Sequence, residues 1–201
     1  MSDGLAARGS SRRARPALGK PTAEDARRLA KRTFLLGRRL DMRAMAAGLG
    51  VNRATLYRWV GSRDELLVDV LWALTDHSLQ VAREQATGKG SERVVRLVVA
   101  LLEQILDNHG MKVFLRDEGE LAVRLLSRGD EGFHPKLVAA IRQELEHEIT
   151  TGALHLDDDV HIDEAAFAVV RIIGAYVYLD LLPGETPDAR RAEPVLKMML
   201  R

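Results

Sequence analysis

The stretch Asp41–Leu67, DMRAMAAGLGVNRATLYRWVGSRDELL, reads as two short helices joined by a tight turn, followed by the opening of a third helix. Gly50 suits the left-handed residue that stops a helix, because a residue without Cβ tolerates positive φ. Asn52 then serves as N-cap, its side-chain oxygen placed to accept an orphan backbone N–H. Val51 plugs the corner over Met45, Leu49 and Leu56. The second helix, Arg53–Val60, carries two arginines, a hydroxyl, a phenol and an indole. A helix so short buries little, so these polar groups are presented rather than hidden. Ser62 and Glu65 form a capping box for the helix that follows.

Charge isolates this stretch from the rest of the chain. The 201 residues carry a net charge of +1. Residues 1–65 hold 15 Lys/Arg against 6 Asp/Glu, a net of +9, and residues 66–201 hold 15 against 23, a net of −8. Such a split is expected when one end meets a polyanion and the other does not. Residues 1–20, rich in Gly, Ser, Arg and Pro, read as a disordered basic arm carrying +4 of the +9. Cysteine is absent, which excludes disulfides and thiolate metal sites and fits a reducing cytoplasm. No apolar leader opens the chain. The most apolar stretch, Ala165–Leu182, is interrupted by Arg171 and Asp180 and reads as a buried helix rather than a membrane span.

Helical periodicity runs through the remainder, and no run of β-alternation stands out. Thr22 caps a first helix that fades near Gly37, and Asp41 caps the next, to about Leu49. A long helix runs from Arg63 to about Gln85. Ser91 is placed to cap a fifth helix, ended by Asn108-His109-Gly110. Two short helices follow, near Met111–Arg116 and Glu120–Ser127, and residues 128–132 form a loop. Pro135 suits the first position of the next helix, which Gly152 ends. Asp163 caps the apolar helix through Leu182, residues 183–187 turn, and Asp188 caps a last helix to about Leu200. The expectation is an all-α protein of about nine helices in three parts: the arm 1–20, a helix-turn-helix unit 21–67, and a helical domain 68–201.

The chemistry of Arg53–Val60 is that of a DNA-reading helix. Arginine donates bidentately to guanine, and Thr, Tyr and Arg side chains hold phosphates. The candidate contacts are Arg43, Asn52, Arg53, Thr55, Tyr57, Arg58, Trp59 and Arg63. The cluster His155, Asp157, Asp158, Asp159, His161 and Asp163 straddles a loop and matches no helical ligand spacing, so it reads as a solvated acidic loop, and no metal or other cofactor is expected. No Gly-rich phosphate cradle and no G-x-S-x-G element is present.

These residues carry a family resemblance. Gly50–Trp59, GVNRATLYRW, followed by Ser62–Leu67, SRDELL, resembles the DNA-binding element of TetR-family transcriptional regulators. Ala54 stands where that family usually has Gly, Trp59 where it has His, and Val60 where it has an aromatic residue. The runs Trp59-Val60-Gly61, Val170–Asp180 and Gly184–Asp188 are similar to the QsdR-like subgroup, so the resemblance spans nearly all of residues 22–200. It implies a cytoplasmic, non-enzymatic homodimeric repressor that binds a palindromic operator in double-stranded DNA and is released by a small-molecule effector, with lactones the first compounds to consider.

Two expectations concern the C-terminal part. The helix over Ala165–Leu182 has only two charged residues, and one chain has few partners to cover it. With the final helix, bearing Val195, Leu196, Met198, Met199 and Leu200, it is expected to form a two-fold four-helix interface. An effector cavity is expected among the middle helices, with Trp72, Phe114, Arg116, Glu118, Arg171, Tyr176 and Tyr178 as candidate lining residues. Arg171, a cation amid an apolar helix, calls for a carboxylate or a polar ligand. The rival reading is a small all-α enzyme, or a protein-binding adaptor that keeps a vestigial DNA-binding unit.

Overall fold

Four local caps lay out the first half of the chain. In the computed structural model, which describes residues 20–129, 132–181 and 187–200, Thr22 and Asp25 close a capping box at the start of α1 (Ala23–Leu35). The Asp41 carboxylate accepts the N–H groups of Arg43 and Ala44 and starts α2 (Met42–Leu49). Gly50, at φ 69°, ends α2 in the left-handed conformation. Asn52 Oδ1 accepts the Thr55 N–H at 2.7 Å and starts α3 (Arg53–Val60). Ser62 and Glu65 form the box that opens α4 (Arg63–Gln85), whose 23 residues span roughly 35 Å at the usual helical rise.

The remaining elements are α5 (Gly90–Asp107), α6 (His109–Ser127), α7 (Phe133–Thr150), α8 (Ile162–Val177) and α9 (Ala192–Met199). Short 3-10 turns follow α8 (Tyr178–Leu181) and precede α9 (Ala189–Arg191). Among the described residues there are nine α-helices and no strand. The basic arm, apart from Lys20, and most of the expected turn at 183–187 lie outside the described residues.

Several expected boundaries move. Helix α5 begins at Gly90, and Ser91 is not its cap. The Gly90 N–H instead donates to the buried Glu148 carboxylate at 2.6 Å. Glu144 and Glu148 on α7 together receive Arg83 from α4 and Arg93 from α5. The two short helices expected between 111 and 127 are there as the two halves of α6, separated by a kink at Glu118 (φ −134°, ψ 37°), and the first begins earlier than expected, at His109. Pro135 sits at the third rather than the first position of α7, still within the turn whose N–H groups have no intrahelical acceptor. His161 rather than Asp163 caps α8, with Glu164 accepting the His161 N–H. Helix α8 ends at Val177, short of Leu182.

One continuous apolar core joins these helices. In the N-terminal trio it contains Ala26, Ala30, Phe34, Met45, Leu56 and Val60, with Leu49 and Val51 half-buried against it. Phe34 on α1 meets Phe114 on α6 edge-to-face at 5.7 Å, which ties the trio to the larger bundle. The approach is close: a Cβ on Gly110 of α6 would lie 2.2 Å from the Phe34 carbonyl oxygen. Glycine is therefore required where α6 crosses α1.

Candidate nucleic-acid interface and an apolar cavity

Helix α3 is held by Leu56 and Val60, both buried and four residues apart on one side. That anchorage turns Arg53, Tyr57 and Arg58 outward, where all three are exposed. Arg43 on α2 is also exposed. Thr55 and Trp59 are half-buried, Trp59 packing against the core. Asn52 spends its oxygen on the cap. The Asp41 carboxyl is held below the usual carboxylate range by the Ala44 and Arg43 N–H groups, with the Arg43 and Arg53 cations adding to the effect. The start of α2 thus sits within electrostatic reach of the start of α3.

Arg63 is placed differently from the other candidates. Its guanidinium turns inward, with Nη2 2.6 and 2.7 Å from the two Glu118 oxygens and Nε 3.0 Å from the Leu40 carbonyl. Arg39 adds a third contact to Glu118 at 3.5 Å. A single carboxylate at the break in α6 therefore holds both the start of α4 and the link between α1 and α2.

Between them, α4 to α8 line a partly open cavity of about 140 Å³. Of the expected lining residues, Arg171 and Tyr178 are there. The rest lie elsewhere. Trp72 stacks edge-on against Phe133, a wall residue, from behind. Phe114 and Glu118 line a separate cleft at the seam between the trio and the bundle. Arg116 is exposed and paired with Asp117. The Tyr176 hydroxyl donates to the Arg191 carbonyl at 2.8 Å, fastening α8 to the turn before α9.

The cavity also holds polar residues that the sequence reading passes over: Thr75, Ser127 and His134. Ser127 and Tyr178 hydroxyls share a hydrogen bond of 2.8 Å. Burial pushes the Tyr178 phenol up, with the Ser127 bond and Arg171 opposing. His134 is buried, and its Nε2 has no hydrogen-bond partner. Burial, then the Arg171 cation, hold its imidazole below the ordinary histidine range. The only local hint of His134 was its place at the start of a helix beside Phe133 and Pro135, which says nothing about a cavity built from five helices. Among the described residues no group of three or more His, Asp or Glu could hold a metal ion, and no helix is long and apolar enough to cross a membrane.

Residues 89–201, more than half of the chain, match the family described as "Tetracyclin repressor-like, C-terminal domain". No curated protein matches. Among solved structures the chain is similar to the transcriptional repressor QsdR of R. erythropolis, a TetR-family protein, at 27% identity and a TM-score of 0.79, covering 89% of this chain and 93% of that one. It also shares its fold with the TetR-family repressor AlkX from Dietzia sp. strain DQ12-45-1b, at 16% identity and a TM-score of 0.57, covering 91% and 100% of the two chains.

Proposed function

The chain belongs to the TetR family of transcriptional regulators, and from that membership we propose that it is a cytoplasmic, non-enzymatic repressor that binds a palindromic operator as a homodimer and is released by a small molecule. Residues 21–67 serve as the DNA-binding unit and residues 68–201 as the effector-binding and dimerisation domain. The observation that carries this reading is the outward face of α3: Arg53, Tyr57 and Arg58 exposed on a helix whose opposite side is anchored by Leu56 and Val60. Arg53 and Tyr57 reach base edges and phosphates in the major groove, Thr55, Arg58 and Trp59 hold the backbone, and Arg43 grips the flank from α2. Asn52 presents the amide end of its cap. Arg63, paired with Glu118, belongs to the seam more than to the DNA face.

The cavity is the effector site in this reading, and α6 is its lever. Met111 and Leu126 of α6 line the cavity, and Glu118 of the same helix holds Arg63 and Arg39. An effector that binds one arrangement of α6 more tightly than the other shifts the spacing of the two recognition helices. Lactones are among the compounds to try as effectors.

The test is a gel shift on genomic fragments selected by the protein. Arg53→Ala and Tyr57→Ala are expected to weaken operator binding by roughly 1–3 kcal/mol for a base contact and less for a single phosphate. Wild-type binding by both variants would remove α3 from the interface. Failure to retard any DNA at low salt would favour the rival enzyme or adaptor, because DNA binding by a basic face is strongest there.

A further inference from the structure

The cavity among α4, α5, α6, α7 and α8 is small, about 140 Å³, comparable to an engineered apolar cavity that takes up benzene. Its walls are mostly apolar, with Met111, Phe133, Leu137, Val170 and Ile173 prominent among them. Two polar groups at this site are unspent. His134 is only 7% exposed, and its Nε2 lacks a hydrogen-bond partner among the described residues. Native proteins keep few such atoms, and an occupant of the cavity is one way to satisfy this one. Arg171 lines the cavity from an exposed position, and among the described residues it makes no ion pair or hydrogen bond and no carboxylate lines the cavity beside it. The other polar pair, Ser127 and Tyr178, is satisfied within itself.

We propose that the ligand of this cavity is a small carboxylate with an apolar body of about six to eight heavy atoms, its oxygens accepting hydrogen bonds from the Arg171 guanidinium and from His134 in its Nε2–H tautomer. The proposal rests on reading the cavity as the effector site. Three considerations select a carboxylate over an uncharged carbonyl compound. A carboxylate brings two acceptor oxygens to two free donors. It sets a counter-charge beside a cation for which the described lining residues supply none. Charge-assisted bonds of this kind are also roughly twice as strong as neutral ones. His134 fits the part of a neutral donor, since burial and the Arg171 charge both disfavour its protonated form.

The experiment is a thermal-shift titration of the full chain with benzoate and hexanoate, set beside methyl benzoate and a six-carbon lactone as uncharged counterparts. At a hundredfold excess over Kd the carboxylates are expected to raise Tm by ~5–10 °C, and the uncharged compounds by far less. Arg171→Gln, at a position exposed in the single chain, is expected to weaken carboxylate binding ~10–100-fold. His134→Phe is expected to raise the Tm of the ligand-free protein, because it removes a buried unpaired nitrogen, while reducing the carboxylate shift. A purely structural histidine would move both in the same direction. No shift with carboxylates, an equal shift in both variants, or a larger shift with the ester or lactone would each overturn the proposal. Release of operator DNA by a neutral compound alone would overturn the ligand class and leave the regulator reading standing; absence of operator binding would remove that reading and leave the ligand result intact.

Discussion

Arg63 opens α4, where sequence pattern puts it beside α3, yet its guanidinium lies on Glu118 of α6, 55 residues away. The side chains are only 19% and 17% exposed, so the pair is only weakly screened by solvent. Glu118→Gln keeps the shape and one acceptor but removes the charge. It is expected to lower stability by about 1–2 kcal/mol, read from the urea midpoint. If α6 is the lever, the same variant also draws the ratio of operator affinities without and with effector towards one. An unchanged ratio would show that coupling bypasses this carboxylate. The pair also marks what a sequence makes legible. Thr22, Asp41, Asn52 and Ser62 were readable as caps because each partner lies two or three residues on. Glu118 on Arg63, Glu148 on the Gly90 N–H, and His134 in the cavity depend on residues 50 or more positions away or on five converging helices. Nothing local announces them.

At the scale of elements, three of the first four helices begin on carboxylates whose charge is favoured in the fold. Asp25 is lowered from 3.8 to about 2, first by the Thr22 hydroxyl and then by Arg28. Asp41 is lowered by the Ala44 and Arg43 N–H groups, and Glu65 by the Ser62 N–H and then the Ser62 hydroxyl. A group whose folded pKa is depressed contributes stability above its unfolded pKa and loses it as pH falls through the folded one. The starts of α1, α2 and α4 are therefore expected to keep their caps above about pH 5 and to lose them between roughly pH 4 and 2. Carboxyl titrations followed by NMR should place the Asp25 midpoint near 2 and the other two below their ordinary values. Helix α7, which has no side-chain cap, serves as the internal comparison. Ordinary midpoints at all three carboxyls would mean that these caps are open in solution. The start of α5 was less legible for a related reason, since it takes its first acceptor from α7, whereas the break in α6 at Glu118, beside Gly119, falls where the sequence pattern put it.

At the scale of the molecule, the basic N-terminal segment and the acidic remainder describe a protein that offers one end to a polyanion. A palindromic operator asks for two such ends about one helical turn, ~34 Å, or a small multiple apart. That spacing requires a second copy. Helices α8 and α9 leave large apolar groups uncovered in the single chain: Phe167 is 50% exposed, Met198 66% and Val195 37%. In the proposed dimer a two-fold bundle of α8 and α9 from each protomer would cover them, and a stable interface of ordinary size buries roughly 1,600 Å² in all. Met198→Glu sets two like charges near the two-fold contact and desolvates both. Light scattering should then report a particle near 22.3 kDa for the variant and twice that for the wild type at micromolar concentration. Circular dichroism should stay unchanged, because Met198 lies outside the core. Operator affinity should fall far more than the loss of one contact would explain, since each half-site is then bound alone. A wild-type chain that is monomeric under these conditions would remove the symmetric mechanism, whatever the fate of α3.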